Sequence, residues 1–309
     1  MGYPIDKKLV VGISSNALFD LRKEDEIFEN HGLEAYREHQ AYHNHDILEK
    51  GVAFPFIKRF LSINDVYKEE QPVEVVLLSR NSPETGVRIF NSIRHYNLNI
   101  SRAAFMSGGS AIEYIAAFNI SLFLATNEKD VKEAIDGGKP AGRILQTDVH
   151  DDESQELRIA FDFDGVIAND ESEKVFQEKG LAEYRDYERV HCSEELGAGP
   201  LNDFFTKLSF FQKLETKKRE QDKTYKRILK TSIVTARNAP THERAINTLN
   251  KWGVDVDEMF LLGGIEKSRI LNVMKPHLYF DDQLSHLDTA SIQNIPLVHI
   301  PFGVTNKHK

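Results

Sequence analysis

Cysteine is nearly absent from this chain: Cys192 is the only one in 309 residues. No internal disulfide can form and no cysteine cluster can hold a metal, which points to a reducing compartment. A basic surplus is missing too. The formal net charge is -9, whereas a phosphate backbone demands a basic face, so nucleic acid is not expected as a partner. Lys, Arg, Asp or Glu interrupts every apolar run, so no segment reads as a membrane span and no membrane is expected as a partner. The start, Met1 to Lys8, lacks the apolar stretch of a secretory leader, and Asp6 stands where a myristoylation signal wants Ser or Thr. The expectation is a cytoplasmic protein, with assembly into a homo-oligomer left open.

What is present has the balance of a globular chain, with 40% apolar and 28% charged residues. The length suits two ordinary domains or one large α/β domain with insertions. The most informative string is Asp162-Phe163-Asp164-Gly165-Val166, directly after the apolar run Leu157 to Phe161. Side chains two apart on a strand point the same way, so both carboxylates face one site. Gly165 lets the backbone turn after them, and Asn169 to Glu173 leads into a helical pattern. Such a pair suits metal-assisted phosphoryl transfer, in which one acid attacks and the other moves protons. A calcium loop fits poorly, because Val166 and Ile167 stand where that loop wants a polar ligand and a glycine.

The chain also resembles itself. Shifted by 148 positions, Phe28, Gly32, Leu33, Tyr36 and Arg37 fall on Phe176, Gly180, Leu181, Tyr184 and Arg185, and His43, Gly51 and Phe56 fall on His191, Gly199 and Phe204. Further on, Arg80-Asn81-Ser82-Pro83 answers Arg237-Asn238-Ala239-Pro240, and Gly108-Gly109 answers Gly263-Gly264. Strands are expected over 9–13, 73–78, 121–125, 158–161, 231–235 and 277–280, separated by helices. Continuous Val/Ile/Leu runs of this kind belong to parallel strands buried on both faces. The expected fold class is therefore α/β: two homologous, doubly wound, Rossmann-like halves with mainly parallel sheets, residues 1–150 and 151–309, joined through the polar stretch 146–154. A cap insertion is expected at about 170–230 in the second half. Its aromatics read mainly as core, and the charged run 213–230 as a solvated helix or a mobile loop.

Three further signals lie downstream at strand ends. Thr235, followed by a segment from Ala236 to Pro240 that is expected to open a helix, offers a hydroxyl and free N–H groups to an anion. Lys267, just past Gly263-Gly264, can place a point charge on a phosphate and on the nucleophilic carboxylate. Asp281-Asp282 ends the run Leu278 to Phe280, and tandem acids there are costly unless they meet a cation, so a divalent metal shared with Asp162 is expected.

These four signals, in this order, resemble the motifs of the haloacid dehalogenase-like (HAD) phosphohydrolases. More narrowly, nearly the whole chain resembles the cytosolic 5'-nucleotidase type I family, on the strings Ile13 to Asp20, Ala53-Phe54-Pro55-Phe56, Asp170-Glu171-Ser172-Glu173, Val234-Thr235-Ala236-Arg237 and Phe280-Asp281-Asp282-Gln283. The resemblance implies a Mg²⁺-dependent hydrolase of nucleoside 5'-monophosphates, AMP first among them. Asp162 would be the nucleophile and form an aspartyl-phosphate, and Asp164 would protonate the leaving 5'-oxygen and then activate water. Thr235, Ala236 and Lys267 would hold the phosphoryl oxygens. Asp162, Asp164 through its carbonyl, and Asp281 would bind Mg²⁺, with Asp282 supporting its water shell. Vertebrate relatives carry small residues at the positions of Phe163 and Gly165, where this chain has the commoner superfamily form. Two other readings stay open: a phosphatase for other small phosphomonoesters, and a nucleotide-binding sensor with incidental hydrolysis.

In the first copy, Ser14 and Asn16 stand where Asp162 and Asp164 stand, Leu78 replaces Thr235, and Ile112 replaces Lys267. No acid pair occurs at 124–126. Serine cannot serve both as phosphoryl acceptor and as Mg²⁺ ligand, so this half is expected to lack hydrolase activity. It could complete the fold, contribute to the nucleotide pocket, or hold an effector.

Overall fold

The computed structural model describes residues 3–306. Met1 and Gly2, where the leader reading begins, and residues 307–309, which close the expected second half, lie outside the described residues. Among the described residues twelve strands form: β1 (Leu9–Ile13), β2 (Phe19–Asp20), β3 (Glu49–Lys50), β4 (Val73–Ser79), β5 (Arg102–Phe105), β6 (Ile120–Ala125), β7 (Ala141–Ile144), β8 (Leu157–Phe161), β9 (Leu229–Thr235), β10 (Glu258–Leu261), β11 (Leu278–Asp281) and β12 (Leu297–His299). Strands β2 and β3 make a small antiparallel ribbon. The other ten form one sheet in the order β10-β9-β8-β11-β12-β7-β6-β1-β4-β5.

Every neighbouring pair in that sheet is parallel except β12 and β7. Strands β1, β4 and β6 are buried at every position, as parallel strands covered on both faces must be. The strands before residue 150 run β5-β4-β1-β6-β7 and those after it run β10-β9-β8-β11-β12, so one pattern occurs twice. The two sets meet edge to edge, Val298 opposite Ile144 and His299 opposite Arg143. A single apolar cluster extends from Leu9 to Ile300 and includes residues on both sides of residue 150.

The polar stretch after β7 is held rather than loose. Arg59, which is buried, donates to the Ser154 carbonyl at 2.7 Å and pairs with Asp151 and Asp152.

Helices cover 171–179, 181–190 and 202–221 in the stretch expected as a cap. The last of these packs on the sheet: Phe204, Phe205, Leu208 and Phe211 are buried, and the Phe205 ring meets Phe161 at 5.1 Å. Residues 213–221 of the charged run are, as expected, the largely exposed end of this helix, but the run is anchored at one point. Glu215 is buried within it and accepts the N–H groups of Ile228 at 2.7 Å and Leu229 at 3.1 Å, which fastens the return to β9. The break between the first two helices falls at Gly180, with φ 85° and ψ −179°. Gly32 breaks the helix Arg22–Tyr42 in the same way, with φ 79° and ψ −176°, backbone that only glycine adopts without strain. Among the described residues, no helix is long and apolar enough to cross a membrane.

Candidate active site

The carboxyl ends of β8 and β11, which are neighbours in the sheet, bring the expected acids together. Asp162 continues β8, giving its backbone N–H to the Phe280 carbonyl at 2.8 Å. Lys267 is buried at the first position of the helix Lys267–Met274, and its Nζ lies 2.9 Å from Asp162 Oδ2 and 2.6 Å from Asp281 Oδ2. Asp281 also accepts the Tyr279 hydroxyl and, at 2.9 Å, the Gln283 N–H, and the His286 Nδ1 stands 3.2 Å from its Oδ1. Ligand atoms of Asp162, Asp281 and His286 all lie within 4.8 Å of one another.

Asp282 lies against this group from the side of Gly165. A Cβ on Gly165 would stand 2.6 Å from the Asp282 Cγ, and its φ is +75°, so both space and backbone require glycine. Asp282 Oδ2 accepts the Thr305 hydroxyl at 2.8 Å, while its Oδ1 is buried with no partner among the described residues. Burial and the neighbouring Asp162 and Asp281 push the Asp282 carboxyl up to about 9. Asp162 is raised to about 7, by burial and by Asp281 and Asp164 against the pull of Lys267. Burial works against ionisation of Asp281 too, but Lys267 and His286 hold it below the usual range. Three buried carboxyls crowd one ammonium, and the raised values of Asp282 and Asp162 show that without a further positive charge they do not all ionise; with all three ionised the excess would be two negative charges. A divalent cation cancels that excess and would give the orphaned Asp282 oxygen, directly or through water, a partner.

Asp164 is held apart from this cluster. Arg237, itself buried, grips both its oxygens at 2.7 Å, stacks over the Phe163 ring at 5.5 Å, and donates to Ser172 at 2.7 Å and to Glu188. Glu188 is fully buried, accepts Ser172 at 2.8 Å, and is shared with Arg244 at 3.0 Å. The second helix of the 171–190 pair is thereby tied to the proton-transfer candidate.

Thr235 sits at the end of β9, buried, and its hydroxyl accepts the Arg237 N–H at 3.2 Å. The expectation that Ala236 to Pro240 opens a helix is corrected. That stretch is a loop containing a cis Ala239–Pro240 bond, and the helix begins at His242. Pro240 has no N–H to return to the Ala236 carbonyl, so no helical turn closes here, and Ala236 lies in a bend before the loop and not at a helix end. Arg237, Glu188, Tyr279, His286 and Thr305 had no assigned role in the sequence. Only Arg237 carried a signal, as the answer to Arg80 in the internal repeat.

A sequence model described as 5'-nucleotidase matches residues 1–307. The chain belongs to the 5'-nucleotidase family. It is 36% identical over 293 residues to human cytosolic 5'-nucleotidase 1B, covering 91% of this chain and 47% of that protein. The chain thus spans about half the length of that relative. No solved structure matches. As a 5'-nucleotidase family member, this chain gathers its acids where doubly wound sheets bind ligands, beyond the carboxyl ends of parallel strands.

Proposed function

We propose that this chain hydrolyses nucleoside 5'-monophosphates, AMP first among them, to nucleoside and phosphate, with Mg²⁺ as its cation. The observation that carries the reading is the Lys267 ammonium seated between Asp162 and Asp281 at the ends of adjacent strands. An Asp162 oxygen attacks phosphorus while Asp164, entering the step protonated and with one oxygen turned from Arg237 to the substrate, gives its proton to the departing 5'-oxygen, leaving an aspartyl-phosphate and a free nucleoside. Asp164 then takes a proton from water, whose oxygen attacks phosphorus and releases Asp162 and phosphate. Thr235, the Ala236 N–H and Lys267 hold the phosphoryl oxygens. Asp162 and Asp281, with the Asp164 carbonyl and the adjacent Asp282, would hold Mg²⁺, which when bound neutralises charge so that a carboxylate can meet a phosphate dianion.

The same reading takes residues 151–309 as the catalytic half, with an insertion between its first two strands, and residues 1–150 as a duplicated half without catalytic groups. The repeated strand order and the matched glycine breaks support it. The setting is cytoplasmic.

Asp162→Asn keeps shape and removes the nucleophile, so Mg²⁺-dependent release of phosphate from AMP should fall by at least about 10³-fold. Turnover near that of the unaltered protein would overturn the mechanism. In the same assay AMP should be preferred over a simple sugar phosphate, and equal turnover would return the reading to a general phosphomonoesterase.

A further inference from the structure

The first half carries a cavity of its own. It encloses about 600 Å³ at the carboxyl ends of β1, β4 and β6, with Ser14, Leu78 and Ala125 on the sheet side and Phe28, Leu33 and Tyr36 on the helix Arg22–Tyr42. That volume is ample for one drug-sized organic molecule. The three helix residues are those that fall on Phe176, Leu181 and Tyr184 in the internal repeat. The aromatic geometry repeats as well: Phe28 and Tyr36 meet edge-on at 5.9 Å, and Phe176 and Tyr184 meet edge-on at 5.9 Å.

Charge is what differs. Ser14 occupies the place of the nucleophile and Ile112 that of Lys267, so neither metal nor phosphate has its cradle here. Of the two guanidiniums that line the cavity, one is already paired within its wall and the other lies at an exposed, loosely held position. Arg80 pairs with Asp130, with one contact at 2.8 Å, and donates to the Gly108 carbonyl at 3.1 Å, while Arg37 faces Glu84 at 3.9 Å. Asp25, Glu29 and Asp130 outnumber Arg37 and Arg80 around the wall, so a phosphate dianion would meet a net negative surface. An uncharged ligand meets no such penalty. Its flat apolar face would find Phe28 and Leu33, both about half exposed, and a hydroxyl would find the Ser14 Oγ, which is buried with no partner among the described residues.

We propose that this cavity is a binding site for an uncharged nucleoside, one that keeps the base-and-sugar part of a nucleotide pocket and has lost the phosphate part. The choice of ligand class rests on the proposed nucleotidase reading; the charge and shape of the cavity do not.

The test is equilibrium dialysis of the full chain with labelled adenosine, alongside AMP hydrolysis on the same preparations. Phe28→Ala and Leu33→Ala, at half-exposed positions, should each weaken adenosine binding, Phe28→Ala by about tenfold, and leave AMP turnover unchanged. Inorganic phosphate should not displace the adenosine, and with Mg²⁺ chelated so that AMP is not converted to adenosine, AMP should compete at least about tenfold less well than adenosine at the Phe28-dependent site. Binding that neither variant weakens, or AMP that competes there as well as adenosine, overturns the proposal. A protein that binds adenosine in a Phe28-dependent way but hydrolyses no AMP keeps this site and sinks the enzymatic reading. One that hydrolyses AMP without such binding sinks the site alone.

Discussion

Arg237 sends Nε and Nη2 to the two oxygens of Asp164, both at 2.7 Å, while its Nη1 serves Glu188 and the Thr241 carbonyl. A planar fork can meet both groups at once; a lysine ammonium, a single point charge, cannot. Arg237→Lys should therefore leave Asp164 free to turn while keeping the local charge. Because Arg237 touches Asp164 and not the phosphorus, its loss should act on proton transfer: kcat for AMP falls by about two orders of magnitude and KM changes little. Steady-state kinetics on the folded variant decide the matter, and a rise in KM with kcat intact would assign Arg237 to substrate binding instead. Nothing near Arg237 in the sequence betrays this role. Apart from the nearby Thr241 carbonyl, its partners come from residues 164, 172 and 188, which only the folded backbone unites, whereas Asp162, Lys267 and Asp281 could be read because each sits at or just beyond an apolar run or a glycine turn.

At the scale of elements, the strands that were legible are those whose burial leaves no choice of side chain. β1, β4, β6, β8, β9 and β11 are mostly buried and each carries at least two consecutive apolar residues, broken by few polar side chains such as Glu74, Arg158 and Lys230, and their observed bounds lie within two residues of those expected. β5 and β10 lie at the sheet's outer edges and are only partly buried, so their sequences carry weaker apolar runs. β7 is Ala141-Gly142-Arg143-Ile144, with no two large apolar residues in succession, and β12 has only three residues. The start of β11 has its own fastening. His277 gives its backbone N–H to the Arg158 carbonyl at 2.7 Å and accepts the Arg158 N–H on its ring Nδ1 at 3.0 Å. Burial, with Arg59 and Arg158 nearby, pushes this imidazole down to about 4; a proton on Nδ1 would also cancel the acceptor. The unfolded chain titrates its histidines near about 6.5. Between those values the unfolded state binds a proton that the folded state refuses, so stability rises with pH across the window and drops by up to about 3 kcal/mol on acidification through it. Urea midpoints from about pH 7 to about pH 4 should fall less steeply for His277→Gln than for the unaltered chain. Equal slopes would mean that this ring does not set the acid response.

Ten of the twelve strands among the described residues share one sheet that spans both strand sets, and that constrains how the molecule can come apart. β12 is buried at all three positions, and its hydrogen-bonding edge is covered by β7, with Leu145 N–H donating to the Leu297 carbonyl at 2.9 Å. If residues before 150 unfolded alone, they would bare that edge together with the apolar cluster that runs from Leu9 to Ile300, a combination that exposes oily surface and unpaired backbone at once. The two strand sets should therefore unfold together, in a single calorimetric transition whose van't Hoff and calorimetric enthalpies agree. Gly142 tests the seam directly, because a Cβ there would stand 2.4 Å from Val298 Cγ1 and 3.0 Å from Ile300 Cδ1. Gly142→Val must push β7 from β12, at a cost of about 1–3 kcal/mol. With the sheet acting as one unit, the variant lowers the whole transition and keeps it single. Two resolved transitions, in the variant or in the unaltered chain, would show that the strand sets are stable apart and that the seam is only a contact between them.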